Sequence, residues 1–299
     1  MSARAIHSVA LTSALAVALT VVAPMAAAVE LHTERSLYRN IVVVEDDGIR
    51  CMKFGRNAGG RQTCQSVSDP DQLVFDYTKM MLAALYLNPS PQRILIIGLG
   101  GGTLPRALQK LVPAAKIDAV EIDPAVVRVA SKYFNFTPGP RTEVLEEDGR
   151  VFVKRMAKQG IRYDLVMLDA FDHEYIPEHM LTREFLLEVK GLLTPKGVLA
   201  ANTFASSRLY DFESATYFSV FGQFYRLKRG NRVIVIRQDG LPEREEIDRN
   251  ADALDGKLAP LGAGKDWLLP MLGIESGWPR NTRLLTDQYS PSNLLNGSF

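Results

Sequence analysis

From Arg93 onward the chain alternates short apolar runs with helix-like segments, and that rhythm admits few folds. RILII (93–97), AKIDAVEID (115–123), TEVLEED (142–148), YDLVMLD (163–169) and GVLAANT (197–203) read as strands. Helices are expected from about Thr103, over Pro124–Tyr133, over 149–158 and over 183–193, with Pro124 at a permitted first-turn position. Short runs without polar alternation suit strands buried on both faces, and strand–helix–strand units lay their strands parallel. The expected architecture is therefore α/β, a doubly wound and mostly parallel sheet. Its last strand should be antiparallel, because QFYRLKRGNRVIVIRQ (223–238) folds back at the tight turn Arg229-Gly230-Asn231.

Around that unit, residues 29–90 read as a small N-terminal β unit plus a helix over Leu73–Leu87. Residues 91–240 form the Rossmann-like unit, and 241–299 a Pro-, Gly- and Asn-rich tail of a short helix and loops. Trp267 and Trp278 lie in that tail and are expected to cover core or a homodimer contact rather than a ligand.

The strand ends carry the chemistry. The first runs into Gly98-Leu99-Gly100-Gly101-Gly102-Thr103, where glycines let backbone approach a ligand and expose N–H groups at a helix start. A dinucleotide G-x-G-x-x-G pattern fails at its last position, Thr103. The next strands end at Glu121-Ile122-Asp123, Glu147-Asp148-Gly149 and Asp169-Ala170-Phe171-Asp172. Glycine or acid at four consecutive carboxyl ends falls at the edge where open α/β sheets bind ligands. An acid at the second strand end suits ribose hydroxyls, and Asp123 is better placed than Glu121 to cap the following helix.

Residues 1–28 contain no acid, an apolar stretch from about Val9 to Ala23, the breaker Pro24 and the small run Ala26-Ala27-Ala28. That is the layout of a secretory signal peptide cleaved near Ala28, with an uncleaved membrane anchor as the alternative. No later stretch is long and apolar enough to span a bilayer, so a cleaved chain should be free of the membrane. In an exported chain the two cysteines, Cys51 and Cys64, can persist as a disulfide. A hairpin turning at Asn57/Ala58 would set them opposite each other.

The chain carries 35 basic and 34 acidic residues, and losing Arg4 with the signal would leave 34 of each. No basic field exists to hold a nucleic acid. Two Cys and four scattered His exclude a zinc-finger architecture. His173 and His179 are six apart, read as solvated loop residues, and no metal is expected.

The motifs GLGGGT (98–103), EID (121–123), EDG (147–149), DAFD (169–172), IPEHMLTREF (176–185) and LTPKGVL (193–199) together resemble the spermidine synthase family. The resemblance spans about residues 37–238, and Leu285-Thr286-Asp287 with Pro291 is similar to the tail of bacterial spermidine-synthase-like proteins. It implies a class I S-adenosylmethionine-dependent methyltransferase fold, with Gly98, Gly100 and Gly102 against the co-substrate. It further implies that Glu121 holds the ribose, Asp148 and Gly149 the adenine end, and that Pro177 closes over the nucleoside. Asp169 would be the proton acceptor, with Asp172 and Tyr77 on the amine side.

The chain departs from the family pattern in three places. Gly101 stands where the family has Asp, Tyr77-Thr78-Lys79-Met80 replaces Y-H-E-M, and Arg39 replaces a glutamine. The implied activity is aminopropyl transfer from decarboxylated S-adenosylmethionine to a polyamine such as putrescine, releasing methylthioadenosine, with no permanently bound cofactor. An ammonium ion has no lone pair, so a carboxylate must first take its proton. Two alternatives remain at this stage. Gly101 leaves the helix start open to the carboxylate of intact S-adenosylmethionine, which suits methyl transfer to an unknown acceptor. Export suits a non-catalytic polyamine-binding module.

Overall fold

A computed structural model describes residues 28–55, 60–170 and 177–296. The chain opens with four antiparallel strands, β1 (Val29–Arg35), β2 (Asn40–Asp46), β3 (Ile49–Phe54) and β4 (Arg61–Ser66), paired in chain order. Next come α1 (Asp76–Met81) and α2 (Ala84–Leu87), where the sequence suggests one helix. Between them the N–H groups of Leu82 and Ala83 bond three residues back, to Lys79 and Met80, which tightens and divides the helix. Met80 to Tyr86 are wholly buried, so burial rather than an amphipathic face fixes this segment.

The alternating unit then runs β5 (Arg93–Ile97), α3 (Thr103–Leu111), β6 (Lys116–Glu121), α4 (Pro124–Tyr133), β7 (Thr142–Glu146), α5 (Gly149–Lys158) and β8 (Tyr163–Leu168). It continues through α6 (Arg183–Leu192), β9 (Leu193–Phe204), α7 (Leu209–Phe221) and the hairpin β10 (Tyr225–Arg229) and β11 (Asn231–Arg237). The tail adds α8 (Arg244–Leu258), α9 (Lys265–Leu268), β12 (Gly273–Ile274) and α10 (Ser292–Asn296). The large sheet has the order β12-β10-β11-β9-β8-β5-β6-β7. Strands β5 to β9 pair in parallel, whereas β11 pairs antiparallel with β9 and β10, and β10 with β12. From β5 the chain winds outward to β6 and β7, then returns to β8 on the other side, so the topological switch lies between β5 and β8.

Alternation along β5 feeds two cores. Ile94 and Ile96 pack with α2, α3 and α8, while Leu95 and Ile97 pack with α5, α6 and α7. The tail is more helical than its composition suggests. Within the polar stretch REEIDRNADALDGKL only Ile247, Ala251, Leu254 and Leu258 are buried, at spacings that keep one narrow stripe against the core. Trp267 packs on the same core and Trp278 stacks on Phe224, so both cover core as expected.

Ile41, Val43 and Met52 of the small sheet pack on Ala125, Val126 and Val129 of α4, which docks β4 over the glycine turn. Cys51 and Cys64 face each other across β3 and β4 and form a disulfide. Among the described residues no helix is long and apolar enough to cross a membrane, and the segment 1–28 that reads as an export signal lies outside them but for its last residue. Replacing both cysteines with alanine should lower stability by about 3 kcal/mol in denaturant titration. Protein unfolded without reductant should show no titratable thiol; two would contradict the bridge.

Candidate active site

The site grows from backbone that only glycine permits. At Gly98 φ is 98°, and a Cβ there would lie 2.2 Å from the carbonyl oxygen of Asp169. Asp169 in turn donates its N–H to the Ile97 carbonyl at 2.8 Å, so the ends of β5 and β8 are locked together. Gly102, with φ 74°, starts α3, and a side chain there would strike the Phe136 ring.

Glu121 ties the glycine turn to the end of β6. Its Oε2 accepts from the Leu99 N–H and its Oε1 from the Asp123 N–H, both at 3.0 Å. Asp123 caps α4 by accepting from the Ala125 N–H at 3.0 Å, which leaves Glu121 facing the cavity. Burial raises the Glu121 carboxyl, while these two N–H donors and the charge of Arg39 act the other way. At the end of β7, Asp148 Oδ1 caps α5 through the N–H groups of Arg150 and Val151, each at 2.9 Å. Its Oδ2 lies 3.1 Å from Nε2 of His179. Gly149 leaves no room for a side chain, since a Cβ would lie 2.4 Å from Ile97 Cγ2.

Asp169 is half-buried in the cavity wall, and loss of water around it pushes its carboxyl from 3.8 up to about 7. The Asn202 amide donates to it at 3.0 Å and the Tyr77 hydroxyl donates as well, both favouring the ionised form, while the charge of Glu121 opposes it. Tyr77 is itself held well above its ordinary value, by burial first and then by the Asp169 charge, so its hydroxyl stays a donor.

Gly98, Gly100, Glu121, Asp148, Gly149, Asp169, Tyr77 and Pro177 line one cavity of about 250 Å³. Gly102 is not among its lining residues and instead serves the helix start. Asp172 and His173 lie outside the described residues. A second cavity of about 520 Å³ adjoins the first, sharing Gln62 and Tyr77 with it and bounded by Asp76, Asn202, Arg229 and Asn231.

Several site residues are not evident from sequence. Thr63, on β4, fills the space over Gly101: a Cβ there would lie 2.5 Å from Thr63 Cγ2. His179 is exposed, as the sequence suggests, but it also sits on a 3-10 turn (Glu178–Met180), lines the cavity and meets Asp148. Arg150 binds Glu188 through two contacts at 2.9 Å, Asp287 at 2.6 and 2.8 Å, and the His179 carbonyl, which fastens the tail to the site wall. Of the departures from the family pattern, Arg39 lines the cavity with its guanidinium over Phe54, whereas Lys79 pairs with Asp76 at 3.3 Å and lies over Trp267. Among the described residues no three His, Cys, Asp or Glu side chains gather as a metal site.

Residues 69–226 match the spermine/spermidine synthase domain. The chain is 48% identical over 271 residues to the polyamine aminopropyltransferase of Vibrio vulnificus, covering 89% of this chain and 91% of that one. A probable spermidine synthase from Corynebacterium glutamicum shares the fold, with TM-score 0.63 and 19% identity over 83% of this chain and 97% of that one. Human methyltransferase-like protein 13 in complex with SAH superposes with TM-score 0.56 and 28% identity, over 74% of this chain and all of that one. The glycine turn, the acids at the strand ends and the antiparallel closing strand thus occur in the setting that the similarity indicates, and the chain belongs to the spermine/spermidine synthase family.

Proposed function

We propose that the chain transfers an aminopropyl group from decarboxylated S-adenosylmethionine to a polyamine nitrogen such as that of putrescine. The carrying observation is Asp169, a half-buried carboxyl poised near neutrality in the wall of the first cavity, hydrogen-bonded by Tyr77, which lines both cavities. The relative in Vibrio vulnificus, named a polyamine aminopropyltransferase, supports the same reading. In this scheme the ribose hydroxyls rest on Glu121 and the adenine end lies toward Asp148 and Gly149. Asp169 takes a proton from the ammonium. The freed nitrogen attacks the methylene carbon beside the sulfonium, the carbon–sulfur bond breaks, and its electron pair neutralises the sulfur as methylthioadenosine leaves.

Methyl transfer from intact S-adenosylmethionine is the second reading, and one observation favours it. Thr63 occupies the space a side chain at position 101 would need, so no acid stands there to meet the amine of the decarboxylated donor. Thr63 and Thr103 pair their hydroxyls at 3.1 Å beside the start of α3 instead. The product separates the readings: methylthioadenosine for aminopropyl transfer, S-adenosylhomocysteine for methyl transfer.

Export as a cleaved protein belongs to the same proposal, and the Cys51–Cys64 disulfide supports it because such bonds persist in oxidising compartments. N-terminal sequencing of the protein recovered outside the cytosol should begin near Val29; Met1 on cytosolic protein would contradict it.

With decarboxylated donor and putrescine, Asp169→Asn should slow methylthioadenosine release by about 10²–10⁴-fold while leaving nucleoside binding largely intact. An unchanged rate rules out this base. Because only the ionised carboxyl accepts a proton, the wild-type rate should rise with pH through about 7 and then level. The stability sign is opposite. A carboxyl raised in the folded state favours folding below its ordinary 3.8, and that contribution is lost as pH rises through about 7. Asp169→Asn should therefore raise Tm relative to wild type at pH 8, as calorimetry would show.

A further inference from the structure

The turn of the β10–β11 hairpin reaches the candidate base through two amides. Asn231 Nδ2 donates to Asn202 Oδ1 at 3.0 Å, and Asn202 Nδ2 donates to Asp169 Oδ1 at 3.0 Å. We propose that Asn231 and Asn202 form a directional relay that keeps an N–H donor, never a carbonyl, turned toward Asp169. Both are positioning residues, and the proposal rests on Asp169 being the base of the transfer described above.

The direction follows from hydrogen-bond inventory. An ionised Asp169 only accepts, so Asn202 must face it with its NH2. The carbonyl of Asn202 then points the other way and needs a donor, which Asn231 supplies. Without Asn231 the Asn202 amide could turn over and offer its carbonyl, which suits only a protonated Asp169.

The flanking residues hold both amides in place. Arg229 reaches Asp76 at 3.0 Å, beside Tyr77 on α1. Arg232, wholly buried, pairs with Glu213 at 3.0 Å and bonds Thr203 Oγ1 at 2.8 Å, next to Asn202 on β9. Tyr77 from α1 and Glu121 from the end of β6 are the titratable groups that act on Asp169 besides the relay. Arg229 and Asp76 line the second cavity beside Asn231 and neutralise each other.

The test is a carboxyl-carbon NMR titration of the full chain, with the Asp169 signal assigned by its loss in Asp169→Asn. Wild type should titrate near 7. Asn231→Leu should move that midpoint upward by about 1 pH unit, and Asn202→Leu at least as far. Because Asn231 acts only through Asn202, the double variant should titrate where Asn202→Leu does. The acidic limb of turnover should follow the same order. An unchanged midpoint in folded Asn231→Leu, or additive shifts in the double variant, overturns the relay. The backbone at Asn231 is not left-handed, so Asn231→Ala provides a second variant with the same expectation should the leucine fail to fold. A relay that shifts the midpoint in a protein without aminopropyl turnover refutes the proposed function and leaves the relay standing.

Discussion

The contact between Gly98 and the Asp169 carbonyl is the constraint on which the site depends. It lies at the switch between the neighbouring strands β5 and β8, where the chain leaves toward α3 on one face of the sheet and α6 on the other, opening a crevice between them. A side chain at position 98 would meet the Asp169 carbonyl oxygen at 2.2 Å and force the two strand ends apart. Glu121 extends the lock by accepting from the Leu99 N–H, so the glycine turn, the Glu121 carboxylate and the candidate base form one connected piece. The small N-terminal sheet closes the assembly from outside, with Thr63 set against Gly101.

Burial sets the electrostatics of that piece. Glu121 and Asp169 are both raised because their charged forms lose water, and the charge of Glu121 adds to the rise at Asp169. Donors set how far each shift goes: two backbone N–H groups for Glu121, the Tyr77 hydroxyl and the Asn202 amide for Asp169. A carboxyl poised near 7 can both take a proton from an ammonium ion and release it afterwards. The same poise costs folding stability at neutral pH, a trade common where function needs a buried charge.

The strands β5, β6, β8 and β9 were legible because each holds an apolar run buried on both faces, β7 only by its place in the alternation because it is a half-exposed edge strand, and the hairpin because Gly230 marks its turn. The disulfide was legible because Cys51 and Cys64 are symmetric about Asn57/Ala58, midway between β3 and β4. Of the tail only a short helix was legible, not the 15-residue length of α8, since its buried stripe is four residues within a polar stretch. Glu121 and Asp169 stood out as acids at strand ends. Asn202 did not, because it looks like the tail of an apolar strand and gains its meaning from Asp169, 33 residues away. Thr63 likewise acts across 40 residues, from a separate sheet.

A crystal structure with methylthioadenosine tests the central claim most directly, because that nucleoside is the portion of the donor which the proposed reaction leaves behind. The ribose hydroxyls are expected on the Glu121 carboxylate, the adenine toward Asp148 and Gly149, and the sulfur turned toward Tyr77 and Asp169. A nucleoside bound elsewhere, or one lying in this cavity with its sulfur directed away from Asp169, would contradict it.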